Sequence, residues 1–538
     1  MAKRDIYIRS AALLAGGMLI AKIIGAIYRI PLTNIIGAEG IGIYQMVFPV
    51  YALLITLTAS GIPIVVSKMV AEMKINGNYA TAKIMFRKSV GVFFVIALIA
   101  AGALSALSGV LGSIQDMKEL TYAYLLIAPA IVFSTLIAAY RGWFQGNMNM
   151  MPSALSQIIE QLVKLITGLT LAKIFIKQGT MYAVWAVLFS ITLSEAIALF
   201  MLLIYYIIKH DRSKEISGAD LRVNGMFKEL SQALIPVTLG GLMLPLVQFI
   251  DSLMIVNLLR NSGVSQVMST KMFGILSGPV GSLINMPVVL TLAFAVTVIP
   301  VVSGSKARRD IDSIRAKSRS GVKLTFVIGV PSALALFALS EPVMSVLYPN
   351  FDAFELRLAS GLLKITSISI LLMSVMQIYT ALLQAIDRAY TPFTNMALGG
   401  GIKVALTIIL IRSAGIYGAA ISTIIAYAVV VTLNVAALVK WIGRNELLVK
   451  NISVILLSGV IMVLSIILIT NFNTGNLSKL IWGTIVGIIV YGVLLVLLNA
   501  FTKEELKGMP MANFLIRIRD TIRFWERADD KGDRDGLQ

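Results

Sequence analysis

Residues 141–164 read RGWFQGNMNMMPSALSQIIEQLVK. A short polar turn leads into an apolar helix, and that helix carries a stripe. Gln157, Glu160, Gln161 and Lys164 stand at i, i+3, i+4 and i+7, which puts all four on one helical face. Their neighbours Ile158, Ile159, Leu162, Val163, Leu165 and Ile166 are apolar enough to lie in a bilayer. Charges and amides at that depth are costly unless they face protein or water, so the stripe marks a candidate functional site. The plainer alternative is a Glu160–Lys164 pair that only joins helices.

The rest of the chain is equally oily. Of its 538 residues 58% are hydrophobic and 14% charged, and the mean hydropathy is +0.87. Soluble proteins are about 45–50% apolar and about 25% charged. The composition therefore predicts an all-α polytopic membrane protein. Apolar runs of bilayer length fall at about 10–30, 41–65, 89–112, 120–140, 154–176, 181–208, 231–256, 272–302, 322–347, 358–385, 392–411, 416–439, 451–471 and 479–501, fourteen in all. The first run has a signal-peptide look, but Lys22 and Arg29 inside it, with no small-residue cleavage site, mark an uncleaved helix.

The net charge of +19 suggests nucleic acid until the basic residues are located. With the N-terminus inside, 33 Lys and Arg fall on the cytoplasmic side and 7 on the other. That asymmetry obeys the positive-inside rule, places both termini in the cytoplasm and removes the case for nucleic acid. There is no cysteine, so no thiolate chemistry, and the single histidine, His210, sits in the charged loop KHDRSKE, where a solvated role fits better than a metal site.

Two internal matches share nearly one offset. Gln145 to Lys164 and Gln384 to Lys403 each span 19 residues around a proline, Pro152 or Pro392, and are 239 apart; GIPIVVSK at 61–68 returns as VIPVVSGSK at 298–306. The matches predict two parallel six-helix lobes. The expected domains are an N-lobe 1–208, a cytoplasmic linker 209–230, a C-lobe 231–440, two extra helices within 441–501, and a cytoplasmic tail 502–538. In the tail Phe514, Ile518, Ile522 and Trp525 share a face, as in an amphipathic helix on the inner leaflet.

Six basic residues remain at membrane depth or its edge: Lys22, Arg29, Lys164, Arg357, Lys364 and Lys403, against Glu160, Glu195 and Asp251. Lys22 and Arg29 are seven apart on the first helix, with Gly25 and Ala26 between them. On the seventh helix Asp251 follows Pro245, a pattern suited to binding an ion, though pairing with a lysine of another helix is an equal alternative. Lys364 and Gln377 lie on one face of the tenth helix, and Lys403 follows Gly399–Gly400–Gly401 on the eleventh. Stripes drawn from both halves, facing one another, make a cavity with more cations than carboxylates, which selects an anionic group such as a phosphate or diphosphate.

The segments GAIYRIPLTNIIGAEGIGIYQMVFPVY and RGWFQGNMNMMPSALSQIIEQLVK resemble the SpoVB/YtgP-type polysaccharide-biosynthesis proteins. These are relatives of the lipid II flippase MurJ in the multidrug/oligosaccharidyl-lipid/polysaccharide exporter superfamily. The resemblance covers essentially the whole chain. It implies alternating access for a lipid-linked, diphosphate-bearing saccharide, hence a role in peptidoglycan or other cell-wall polysaccharide synthesis at the bacterial cytoplasmic membrane. In that pattern the first helix supplies two cavity arginines; Lys22 matches one, and the other falls at Tyr28, beside Arg29. Further arginines of the pattern fall near Ala59 or Ser60 and near Ser282, none of them basic.

The expectation is thus a transporter, not an enzyme. It flips an undecaprenyl-diphosphate-linked precursor, with Lys22, Arg29, Gln157, Gln161, Lys164, Lys364, Gln377 and Lys403 contacting substrate. No cofactor or metal is expected. Glu160 and Asp251 are candidates for a coupling cation or proton, and the membrane potential is a plausible drive. The expected partners are the lipid-linked anionic saccharide and membrane lipids, and the chain is expected to be a monomer. The alternatives are a flippase for another polyprenyl-linked glycan, a cation-coupled drug exporter, which needs acids to dominate the cavity, and a membrane-bound transferase. For the last, Asp310 and Asp312 have metal-binding spacing but sit among Arg308, Arg309, Arg315 and Lys317, as in a solvated loop.

Overall fold

The computed structural model of the chain describes residues 2–209, 226–443, 452–472, 475–498 and 500–501. Among the described residues every regular element is helical, the form in which each backbone donor and acceptor of a span is satisfied within the span itself.

The long first element, α1 (Ala2–Ala59), bends at Gly37, whose φ of 71° lies in the left-handed region open to glycine. The bend falls between the two spans expected at 10–30 and 41–65, which are two helical arms meeting at Gly37. Next come α2 (Ile62–Ile75), α3 (Tyr79–Ile114), α4 (Leu120–Gly146) and α5 (Met151–Phe175). After a 3-10 turn at Ile176–Gln178 the chain enters α6 (Thr180–Lys209). It continues with α7 (Met226–Asn261) and α8 (Gln266–Ile275), which passes through a π-helical turn, Leu276–Val280, into α9 (Gly281–Ala307). Pro279 lies in that turn, where the missing N–H and the ring favour a widened backbone. The remaining helices are α10 (Ile311–Ala338), α11 (Ser340–Leu347), α12 (Ala353–Thr366), α13 (Ile368–Ala385), α14 (Tyr390–Ala414), α15 (Ile416–Ile442), α16 (Ile452–Asn471) and α17 (Asn476–Leu497).

Eleven described stretches are long and apolar enough to cross a bilayer, against fourteen spans expected; one of the eleven, Gly16–Ile75, contains the Gly37 bend, and α5 and α7 are not among them. The chain is a multi-pass, all-helical membrane protein. Most of the proposed linker and all of the proposed tail helix with Phe514, Ile518, Ile522 and Trp525 lie outside the described residues, as does His210.

The chain divides into two compact units. The first comprises Met1–Ser282, Asn350–Leu358 and Met396–Ser422, and the second Leu283–Pro349, Ala359–Asn395 and Thr423–Gln538. In the first unit α2, α3, α4 and α6 pack around Val66, Phe86, Trp143, Phe144 and Leu202, with the Phe86 and Trp143 rings stacked at 4.7 Å. In the second, Val302, Ile314, Val322, Leu382 and Leu438 form the corresponding centre. Lipid tails are as apolar as these side chains, so close packing and buried hydrogen bonds hold such helices together more than water exclusion does.

Candidate functional site

The α4–α5 hairpin sets the geometry of the striped helix. α4 ends in a turn in which Met148 takes a φ of 61° and Asn149 N donates to Phe144 O at 2.9 Å. Pro152 then opens α5, where its missing donor costs nothing. Arg141 lies five residues before the end of α4 and Ser156 five after the start of α5, so the two face each other across the antiparallel pair. Arg141 Nε donates to Ser156 Oγ at 2.8 Å, and its long side chain reaches one turn further, donating from Nη2 to Glu160 Oε2 at 2.9 Å. Both side chains are 16% exposed. Gln161 Nε2 donates to the other carboxylate oxygen, Glu160 Oε1, at 3.0 Å.

Glu160 is therefore held by Arg141, not by Lys164 as the i,i+4 alternative required. Lys164 forms no ion pair among the described residues; it is half-buried within the electrostatic reach of Glu160, Glu195 and Arg29. Gln157 is half-buried one turn earlier on the same helix.

The first arm of α1 packs along α5. A Cβ added at Gly17 would stand 2.7 Å from Ala154 Cβ, and one at Gly25 would stand 2.9 Å from Gln161 Oε1. Small residues along α1 let the two helices approach this closely. Lys22, on this arm, is exposed, and Arg29, one heptad on, is half-buried and donates from Nη1 to Ser282 Oγ at 3.2 Å. Ser282 is a position at which the resemblance implied an arginine. Here a guanidinium reaches it from another helix.

From α6, Glu195 is 7% exposed and accepts from Tyr51 OH at 3.4 Å, with the Ser134 hydroxyl also in hydrogen-bonding reach. Together, Arg29, Arg141, Lys164, Glu160 and Glu195 form a half-buried charged cluster in the first unit, with Glu195 its most buried member and cations in excess. Sequence reasoning missed two of its members. Arg141, which precedes a turn, falls by sequence among the 33 cytoplasmic-side cations, and Glu195 reads as an embedded acid that joins no stripe. The signal for Arg141 was its equal distance from the turn to Ser156 on the partner helix.

The remaining candidates separate. Lys403, 6% exposed on α14, donates to Asp251 on α7, and Thr407 one turn on shares a 2.7 Å hydrogen bond with Ser422. This is the alternative the sequence left open for Asp251, an ion pair with a lysine of another helix, and it neutralises both charges. Lys364 and Gln377 belong to the second unit: Lys364 is exposed with Nζ 5.1 Å from the centre of the Phe337 ring, and Gln377 Oε1 lies 3.5 Å from Thr291 Oγ1, which donates to Ser374 Oγ at 3.0 Å. Among the described residues no group of three or more His, Cys, Asp or Glu is placed to hold a metal ion.

Comparison with known proteins agrees with the fold. The chain is 27% identical to the Stage V sporulation protein B of Bacillus subtilis (strain 168) over 527 residues, which cover 96% of this chain and 100% of that protein. It is 26% identical over 476 residues to the lipid II flippase MurJ of the same organism, covering 85% of this chain and 87% of the relative. A solved structure of the lipid II flippase MurJ in an inward closed conformation matches with a TM-score of 0.65 at 18% identity, over 91% of this chain and 99% of that one. The model of the family described as polysaccharide biosynthesis protein matches residues 7–306, more than half of the sequence, and the chain belongs to that family.

Proposed function

We propose that this chain is a flippase that carries an undecaprenyl-diphosphate-linked cell-wall precursor from the inner to the outer leaflet of the bacterial cytoplasmic membrane by alternating access. Both termini are then cytoplasmic, as the 33-to-7 distribution of Lys and Arg favours. The observation that carries the reading is the α1–α5 seam. Lys22, Arg29 and Lys164, which the sequence puts within apolar runs, have no carboxylate in ion-pair contact among the described residues, with Glu160 taken by Arg141 and Asp251 by Lys403. The similarity to a protein named as a lipid II flippase, over 85% of this chain, points the same way.

The physical need is clear. A saccharide–diphosphate head cannot cross hydrocarbon with its charges and hydroxyls unsatisfied. Guanidinium and ammonium groups supply charge-assisted partners to phosphate oxygens, Arg29 as a planar fork and Lys22 and Lys164 as point charges, while Gln157 and Gln161 offer donors and acceptors to the sugar. Moving charge through the membrane potential involves about 2.3 kcal/mol per elementary charge per 100 mV, which makes the potential a candidate drive for the cycle. A drug exporter for cations would need acids to dominate the cavity; of the three embedded acids Glu160 and Asp251 are engaged by basic side chains, which leaves Glu195 alone without an ion pair among the described residues. A flippase for another polyprenyl-linked glycan is the second reading. It is favoured by the neutral residues at Ala59, Ser60 and Ser282, where the resemblance implied arginines.

Cells depleted of their own lipid II flippase and supplied with this chain test the proposal. Restored growth, with lipid II reaching an outer-leaflet probe, is expected from the unmodified protein, and marked loss from Arg29→Ala and Lys164→Ala. No restoration by well-expressed unmodified protein would turn the reading to another glycan.

A further inference from the structure

The 239-residue offset that takes Gln145 to Gln384 and Lys164 to Lys403 also takes Arg141 to Thr380, Ser156 to Asn395 and Glu195 to Asn434. In the second unit these three positions form a neutral buried network. Asn395 Nδ2 donates to Asn434 Oδ1 at 2.8 Å, and Asn434 Nδ2 donates to Thr380 Oγ1 at 3.4 Å, tying α13, α14 and α15 together. Amides and a hydroxyl are sufficient to join three helices there. At the matching positions in the first unit stand Arg141, Ser156 and Glu195, on α4, α5 and α6.

A carboxylate in a membrane span is costly where an amide would serve as glue, so its presence calls for a use that an amide cannot fulfil. Glu195 is the only acid in α6, and no Lys or Arg lies before Lys209 at its end. It forms no ion pair among the described residues, and its hydrogen-bonding partners are the hydroxyls of Tyr51 and Ser134. Hydroxyls differ from ammonium and guanidinium groups in one respect that matters here. They donate to an ionised carboxylate and, after rotation, accept from a protonated one. Glu160, by contrast, is fixed by Arg141 and Asp251 by Lys403, cations that can only donate to the carboxylate.

The groups facing Glu195 from each packed element suit a site that takes and gives a single proton. From α1 comes Tyr51; from α4 Ser134 and Arg141; from α5 Glu160 and Lys164. The 3-10 turn that also meets α6 precedes its first residue, some fifteen residues or about 22 Å from Glu195. Two carboxylates thus share the field of two cations. One of the two, Glu160, is held in hydrogen bonds to a guanidinium, and the other is not.

We propose that Glu195, cradled by the Tyr51 and Ser134 hydroxyls at the position where the second unit carries Asn434, is a proton-binding site that serves the transport cycle. It takes one proton from bulk water onto a carboxylate oxygen and returns it to bulk water later, with no other bond made or broken. Protonation removes one negative charge from beside Lys164 and so makes the cluster more cationic, which strengthens its hold on a diphosphate. The service to transport rests on the flippase reading; the proton site itself does not.

The test uses the full chain in lipid nanodiscs. Infrared difference spectra taken across a pH series report the carbonyl stretch of a protonated carboxylic acid. The expected result is a band that grows as pH falls, is lost in Glu195→Gln, persists in Glu160→Gln, and titrates at a different pH in Glu195→Asp. A band unchanged in Glu195→Gln, or no titrating band in the unmodified protein, overturns the site. The same variants in proteoliposomes report flipping of fluorescent lipid II against pH. A pH-dependent rate that becomes flat in Glu195→Gln supports the coupling, and an unchanged profile in that variant overturns it. If the unmodified protein flips nothing while the band still titrates, the flippase reading fails and the proton site stands.

Discussion

Replacing Lys403 with alanine isolates the energetics of the Asp251–Lys403 pair. The two side chains are 7% and 17% exposed, so water screens them little and the range of about 0–1 kcal/mol for surface pairs does not apply. Removing the ammonium leaves the Asp251 carboxylate buried without its counter-charge, a change that costs about 3–5 kcal/mol in buried pairs. Replacing both charges by apolar residues at once should cost far less, because desolvation of an ion pair offsets most of its attraction; Asp251→Val with Lys403→Met is expected within about 1 kcal/mol of the parent. The Thr407–Ser422 hydrogen bond between α14 and α15 is present in all the variants and serves as a common background. The assay is unfolding of the purified protein in detergent, by heat and by denaturant, on the single Lys403→Ala and the double variant. Lys403→Ala as stable as the parent, or a double variant as damaged as the single, would refute the reasoning.

Two further outcomes concern packing. Gly17→Val puts a side chain where Ala154 Cβ lies 2.7 Å from an added Cβ, and overpacking of this kind is expected to lower stability by about 1–3 kcal/mol in the same unfolding assay. Gln115 is fully buried at the α3–α4 turn and donates to the carbonyls of Met46 and Ser252 at 2.9 and 3.1 Å, while accepting from Tyr124 OH at 2.6 Å. Gln115→Leu strands those groups and should cost about 1–3 kcal/mol, with faster hydrogen exchange along α1 and α7 near Met46 and Ser252.

Much of this was legible because lipid imposes simple rules on a sequence. The all-helical membrane class followed from length and hydropathy, and the Gln157–Lys164 stripe from helical spacing, since one periodicity decides which side chains share a face. The two spans expected at 10–30 and 41–65 meet at the non-helical Gly37, inside the polar stretch that holds Thr33, Asn34 and Glu39. Partners were far less legible than faces. Asp251 and Lys403 are 152 residues apart, and no spacing rule distinguishes an ion site from an ion pair at that range. Arg141 read as a loop cation because it stands near a turn, yet its side chain extends along α5 to Glu160. Gln115 was invisible between two spans, where only the tertiary packing makes it a buried joint.

The cationic seam of α1 and α5 is the centre of the account, and one measurement tests it most directly. The purified chain is reconstituted in proteoliposomes with a fluorescent undecaprenyl-diphosphate saccharide and with an analogue lacking the diphosphate, and leaflet exchange is timed for the unmodified protein and for Arg29→Ala with Lys164→Ala. The expected result is exchange of the diphosphate lipid alone, slowed about tenfold or more in the double variant, a loss of roughly 1.4 kcal/mol or more of stabilisation. Equal rates for both lipids, or a double variant as fast as the parent, would contradict it.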